Sequence, residues 1–212
     1  MTSLIELANT VIAGDHLRSG DLTRQLIAAG LPPRAILDDG LIAGMSVVGD
    51  RFREHEIFLP DVLLAARAMY AGMDLLKPLL IREGIPSIGR VVIGSVRGDL
   101  HDIGKNLVGI MLKGAGFDVI DLGHDVPPER MVTTAMEQEA SVIGMSALLT
   151  TTMPVMREVV DLLRRANPDG RIRTIVGGAP VTHAFAREIG ADAYGFDAAN
   201  AVDVVKDLVG RR

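Results

Sequence analysis

The chain has 212 residues, a formal net charge of −5, 48% hydrophobic residues and no cysteine or tryptophan. Without cysteine there can be no disulfide, thiolate catalysis, iron–sulfur cluster or Cys-type zinc site, and the acidic balance argues against a nucleic-acid partner, whose binding domains carry a basic stripe. Aromatics make up only 3%, so the core must be aliphatic, and no run approaches the ~18 apolar residues of a membrane span.

Met1 to Asn9 has no basic segment leading into an apolar run, so no signal peptide is expected and the location is expected to be cytoplasmic. Residues 1–83 read as helix throughout, in four segments: Ser3–Ala13, Gly20–Ala29, Pro33–Arg53 and Pro60–Arg82. Asp21 or Ser19 is the expected cap of the second. Pro33 and Pro60 fall in first turns, where a missing N–H costs nothing. In the third segment Ile36, Leu37, Gly40, Leu41, Gly44, Met45, Val48 and Phe52 recur at helical spacing. Two glycines on that stripe lower helix propensity and make sense if another element approaches closely. Met45, Met69 and Met73 read as core filling. The expected product is a four-helix bundle over 1–85.

Glu83 to Gly89 reads as a linker, after which the texture changes. Short β-branched runs at Arg90–Gly94, Asp118–Leu122, Ser141–Met145, Arg173–Val176 and Asp192–Tyr194 alternate with helical stretches. The helices are expected at Gly104–Ala115, Pro128–Gln138, Met153–Ala166, Val181–Ile189 and Ala198–Val209. Five strands alternating with helices imply an α/β domain over 90–212, a doubly wound parallel sheet covered on both faces. A ligand of such a sheet sits outside the carboxyl ends of the strands.

The segment Gly98-Asp-Leu-His-Asp-Ile-Gly104 lies at that place, after the first strand. Asp99 and His101, two apart, project to the same side of an extended loop. A carboxylate accepting from one imidazole nitrogen fixes the tautomer and makes the other nitrogen the better ligand. One histidine cannot fill a zinc sphere. A single protein ligand is sensible where a macrocycle already supplies the equatorial donors, as haem and corrinoids do. His16, His55, His124 and His183 read as structural, and Lys105 and Asn106 as a solvated helix face.

The same segment resembles the D-x-H-x-x-G signature of cobalamin-binding domains. Ser146-Ala-Leu148 stands as its S-x-L and Gly177-Gly178 as its paired glycines, in order at the ends of the first, third and fourth strands. In the helical half, Gly40-Leu-Ile-Ala-Gly-Met45, Val48-Gly49, Phe52 and Phe58-Leu-Pro60 resemble the cap of methionine synthase and of the small corrinoid proteins of methyltransferase systems. The runs Leu148-Leu-Thr-Thr-Thr-Met153 and Gly177-Gly-Ala-Pro-Val181 are similar to the methylamine type.

The resemblance implies a cobalamin or related corrinoid, carried as methylcobalamin when loaded, with His101 as the lower axial ligand of cobalt in place of the benzimidazole tail. It places Asp99 on the far imidazole nitrogen and Thr152 where methionine synthase has a relay serine. Gly98, Leu100, Asp102 and Gly104 complete the loop against the corrinoid. Ser146, Leu148 and Thr150 are implied to line the tail slot, Gly177 and Gly178 to lie under the tail, and Phe52, Leu59 and Val62 to cap the upper face. The implied function is a methyl carrier sharing catalysis with a substrate-specific methyltransferase and with a second methyltransferase that uses tetrahydrofolate or a thiol, served by a reductive activase. A B12-dependent regulator is the alternative. Light-responsive repressors of this architecture add a DNA-binding module and a cap tryptophan, which this acidic, tryptophan-free chain does not show. A mutase B12 subunit lacks this cap, and a flavodoxin-like binding protein without a corrinoid ranks last.

Overall fold

The computed structural model describes residues 3–83 and 87–210. Apart from Gly114–Gly116, which group with the first, the chain divides between Ser87 and Ile88 into two compact units. The expected linker includes Gly84, Ile85 and Pro86, which lie outside the described residues.

The first unit is helical. α1 spans Leu4–Ile12 and is capped by the Ser3 hydroxyl, which accepts from the Glu6 N–H at 3.0 Å. α2 spans His16–Ala28, starting earlier than the sequence pattern implied. Its cap is Asp15, whose carboxylate accepts from the Arg18 N–H at 3.0 Å. Ser19, an expected cap, is instead buried and donates to the Ala68 carbonyl at 2.8 Å, while Asp21 is exposed and paired with Arg24. The third helix is continuous but not uniform: α3 (Pro33–Ala35) leads through a π-helical stretch, Ile36–Ile42, into α4 (Ala43–Arg53). α5 runs over Leu59–Arg82, with the Phe58 N–H held by Asp61 at 2.9 Å.

The glycine stripe is explained by α1. A Cβ at Gly40 would lie 2.7 Å from Leu7 Cδ2, and one at Gly44 2.6 Å from the Ala8 carbonyl oxygen. Gly72 of α5 is equally tight, with Leu41 Cδ2 and Thr23 Oγ1 both 2.8 Å away. Leu7, Leu22, Ile36, Leu41, Met69 and Leu76 fill the aliphatic core between these helices.

The second unit is a five-stranded parallel sheet in the order β2-β1-β3-β4-β5. Its strands are β1 (Arg90–Ser95), β2 (Asp118–Asp121), β3 (Val142–Ser146), β4 (Arg173–Gly177) and β5 (Ala193–Gly195). Between and after them lie α6 (Ile103–Gly114), α7 (Pro128–Glu137), α8 (Met153–Ala166), α9 (His183–Ile189) and α10 (Ala198–Gly210). Asp192, expected in the fifth strand, precedes it because its carboxylate is engaged by the Thr174 N–H and hydroxyl at 2.8 and 2.9 Å. α9 starts at His183 because the Thr182 hydroxyl accepts from the Phe185 N–H, a cap that ends the preceding loop.

Side chains alternate across the sheet. Val92, Ile143, Met145 and Val176 pack with Met131, Met156, Val159 and Leu163 of α7 and α8. Ile93, Gly144 and Ile175 stand in one register row on the other face. There a Cβ at Gly109 of α6 would come within 2.8 Å of Ile93, and one at Gly195 within 3.1 Å of Ala201 of α10. Among the described residues no helix is long and apolar enough to cross a membrane.

The helical packing makes a test with a definite sign. Helix propensity alone makes Gly44→Ala stabilising by about 1 kcal/mol, whereas the contact with α1 makes it destabilising by about 1–3 kcal/mol. Urea unfolding of the variant is expected to show the loss.

Candidate functional site

β1 is the switch point of the sheet: the chain leaves it toward β2 on one side, and β3 begins the march toward β5 on the other. The two loops that follow β1 and β3 therefore diverge, leaving a crevice at their carboxyl ends. Asp99 and His101 lie in the first of these loops.

The Asp99 side chain is fully buried and its two oxygens are divided between the loops. Oδ1 faces the His101 Nδ1 at 2.8 Å and accepts from the His101 N–H at 3.1 Å. Oδ2 accepts from the Leu148 N–H at 2.7 Å, the Leu149 N–H at 3.2 Å and the Thr152 hydroxyl at 2.8 Å. Burial by itself raises the carboxyl pKa, but the donors on Leu148, Thr152 and His101 outweigh it and hold the group well below the ordinary carboxylate range. The ionised carboxylate can only accept, so Nδ1 carries the proton and the lone pair of a neutral imidazole is on Nε2. Half of the His101 side chain remains exposed. The result is an oriented nitrogen ligand at the mouth of the crevice.

Backbone contacts hold the loop in place. The Ser95 hydroxyl, fully buried, donates to the His101 carbonyl at 2.6 Å. Asp125, in the loop after β2, accepts from the Gly98 N–H at 2.7 Å, and its own N–H donates to the Asp99 carbonyl at 3.0 Å. Lys105 is not on a solvated face, as its place at the start of α6 implied. Its side chain is only 3% exposed, and its ammonium donates to both oxygens of Asp121 at 2.6 Å and to Asn106 Oδ1 at 2.5 Å. That pair ties the first turn of α6 to the edge strand β2.

The surroundings suit a large, flat, largely apolar group. Leu100, Ile103, Leu148 and Leu149 are apolar yet 42–71% exposed, on the His101 loop, the first residue of α6 and the β3–α8 turn. Nothing lies within 4 Å of a Cβ built on Gly104. On the α6–α10 face, the last register row reads Ser95, Ser146, Gly177 and Gly195, a strip with almost no side chain. Gly178 follows at φ +128, and a Cβ there would lie 1.9 Å from the Ala147 carbonyl oxygen. A slender appendage can lie along that strip against backbone. No group of three or more His, Asp or Glu side chains able to hold a metal occurs among the described residues.

The structure thus brings together Gly98, Asp99, Leu100, His101, Asp102, Gly104, Ser146, Leu148, Thr152, Gly177 and Gly178 at one end of the sheet. Thr150 lies on the same β3–α8 turn and is exposed. Phe52, Leu59 and Val62 belong to the helical unit. Phe52 and Leu59 are half-buried, whereas Val62 is completely buried. Sequence reading missed the Leu148 and Leu149 amides, Ser95 and Asp125. Amide direction has no sequence signal, but Asp125 ends a Gly-His-Asp turn in which such a role was open to inference.

A single oriented histidine at the crevice of a doubly wound sheet fits a cofactor-binding module, and the comparisons with known proteins specify which one. Family models described as B12 binding domain match residues 89–204 and 4–77. A corrinoid protein of Desulfitobacterium hafniense is 39% identical over 100% of this chain and 99% of its own length. The dimethylamine corrinoid protein 1 of Methanosarcina acetivorans is 46% identical over 84% of each chain. In structure, the chain is similar to one in the methanol:cobalamin methyltransferase complex of Methanosarcina barkeri, with a TM-score of 0.88 and 32% identity over 99% of this chain and 80% of that one. The chain belongs to the B12-binding domain family, and its cofactor is a cobalamin or related corrinoid.

The buried carboxylate sets a pH dependence. Asp99→Asn leaves donors unmatched and is expected to cost about 1–3 kcal/mol at neutral pH. A folded-state pKa below the unfolded value of about 3.9 means that the charged group's contribution is complete above that pH and is lost as pH falls further. Denaturant unfolding should therefore show a constant gap between wild type and variant at pH 5–7 that narrows below about pH 4.

Proposed function

We propose that this chain is a methyl carrier: it takes a methyl group on the corrinoid cobalt from a substrate-specific methyltransferase and delivers it to a second methyltransferase. The observation that carries this reading is His101, half exposed at the crevice mouth with Nδ1 fixed by a buried, ionised Asp99. When bound, the corrinoid supplies a cobalt centre that can accept and release a methyl group. The chain's own residues do the rest. His101 Nε2 would hold the cobalt, Asp99 keeps the tautomer that leaves that nitrogen free to do so, and Thr152 holds Asp99 from behind.

Asp99 accepts from five donors and is held strongly acidic, so it stays charged and keeps its hold on Nδ1. Thr152 Oγ1 also lies 2.9 Å from the Leu149 carbonyl, so its single proton has a second acceptor and the hydroxyl can turn without being left unpaired. Leu100, Ile103, Leu148 and Leu149 keep water from the metal-facing side of the loop. Ser146, Gly177 and Gly178 receive the displaced nucleotide tail. Gly98, Asp102 and Gly104 let the backbone approach the macrocycle, with Thr150 at the rim of the slot. Phe52, Leu59 and Val62 of the helical unit would cap the corrinoid, Val62 from a fully buried position. The helical unit over residues 1–85 and the α/β unit over 90–212 act as separate domains. Donor choice is assigned to the first methyltransferase. Relatives named for dimethylamine and trimethylamine make methylated amines the first donors to try, followed by methanol. A tetrahydrofolate- or thiol-dependent methyltransferase is the acceptor, and a reductive activase restores protein whose cobalt has been oxidised.

Two measurements test this. The cob(II)alamin-loaded protein is expected to show the electron-spin splitting of one axial nitrogen, lost in His101→Ala; an unchanged spectrum in the variant sinks the ligand assignment. With a methylamine methyltransferase and its substrate, the reduced protein is expected to gain the absorption of the methylated cofactor and to lose it when the second methyltransferase is added together with its tetrahydrofolate or thiol acceptor. A protein that never acquires the methyl group with any donor–methyltransferase pair, yet binds DNA in a light-dependent way, is a regulator instead.

A further inference from the structure

Asp125 belongs to none of the site's three motifs, yet it touches the backbone that carries the histidine. It lies in the loop between β2 and α7 with φ +52, a left-handed conformation that Asp, Asn and Gly tolerate far better than other residues. Its carboxylate oxygen Oδ1 accepts from the Gly98 N–H at 2.7 Å, and its own N–H donates to the Asp99 carbonyl at 3.0 Å. Those two contacts bracket Asp99, the residue whose side chain orients the imidazole.

The loop is docked on either side as well. The Ser95 N–H donates to the Gly123 carbonyl and the Val126 N–H to the Ser95 carbonyl, each at 3.0 Å. Ser95 in turn holds the His101 carbonyl through its hydroxyl. The β2–α7 loop therefore grips the histidine loop at Ser95, Gly98 and Asp99. Of these contacts only the one from Asp125 Oδ1 depends on a side chain of the gripping loop. A charged acceptor makes it the stronger kind of hydrogen bond. Gly98, its donor, itself sits at φ +83, so the amide's direction is set by an unusual backbone that needs a partner to fix it.

We propose that Asp125 is a positioning residue for His101: it holds the Gly98 N–H and the Asp99 carbonyl, on either side of the Asp99 side chain, so that the Asp99 carboxylate meets Nδ1, and so sets how much of the bound corrinoid is ligated by histidine. This deepens the reading of His101 as axial ligand and rests on it. The side-chain chemistry separates the roles cleanly. Asp125→Gly keeps the left-handed backbone free of strain and removes the acceptor. Asp125→Asn keeps both the backbone preference and an acceptor oxygen.

The test uses the full chain in two states. In cofactor-free protein, the imidazole Nδ1–H of His101 is observed by 15N-edited NMR. In protein loaded with cob(II)alamin, the fraction showing axial-nitrogen splitting is measured, with His101→Ala as the zero. Asp125→Gly is expected to lower the ratio of histidine-on to histidine-off protein about tenfold, in the range typical of outer-sphere partners, and to make the His101 Nδ1–H exchange with solvent faster. Asp125→Asn is expected to stay near wild type in both. Wild-type behaviour of Asp125→Gly in both states overturns the proposal. If wild type itself shows no axial nitrogen, the ligand reading fails, and the cofactor-free spectrum still decides whether Asp125 holds the imidazole.

Discussion

The site depends on one buried carboxylate. Asp99 is enclosed completely, and an enclosed charge is tolerable only if its lone pairs are met. They are met from two directions, by the His101 loop on Oδ1 and by the β3–α8 turn on Oδ2. The same contacts that make the charge stable therefore join the two loops that diverge at the switch point. They also determine which imidazole nitrogen bears the proton. Stability of the crevice floor and orientation of the ligand are one set of hydrogen bonds.

Around that centre the protein supplies shape more than chemistry. The row Ser95, Ser146, Gly177 and Gly195 withholds side chains where the sheet meets the crevice, and Gly178 adopts a backbone that a Cβ would block. Leu100, Ile103, Leu148 and Leu149 form an exposed apolar rim, the kind of patch that marks a ligand-binding surface. A chain without cysteine and with one oriented histidine at its site is suited to hold a reactive group made elsewhere. Polar contacts stand behind the rim, Lys105 on Asp121 and Asp125 on the Gly98 N–H.

Much of the fold was legible because burial imposes periodicity. Alternation of β-branched runs with amphipathic stretches placed every strand and helix of the α/β unit to within a few residues. The glycines of the third helix pointed to a close neighbour, which proved to be α1. The errors fell where a single side chain outvotes local pattern. Asp15 starts α2 ahead of Gly20 because it can reach the Arg18 amide. Asp192 stays out of β5 because Thr174 holds it. Lys105 reads as a surface residue until β2 brings Asp121 against it, since only a partner distant in sequence can make a buried ammonium tolerable.

The sequence by itself determined the two-part organisation, the parallel sheet, the chemical class of the site and the pairing of Asp99 with His101. All of these follow from residue type and short-range spacing, together with a family resemblance carried by motifs in order. Only the tertiary structure decided what stands behind that pair. The Leu148 and Leu149 amides, the Thr152 hydroxyl, Ser95 and Asp125 come from separate strands and loops, and hydrogen bonds depend on direction as well as identity. Direction is set where the strands end in register side by side, which no local run of residues encodes.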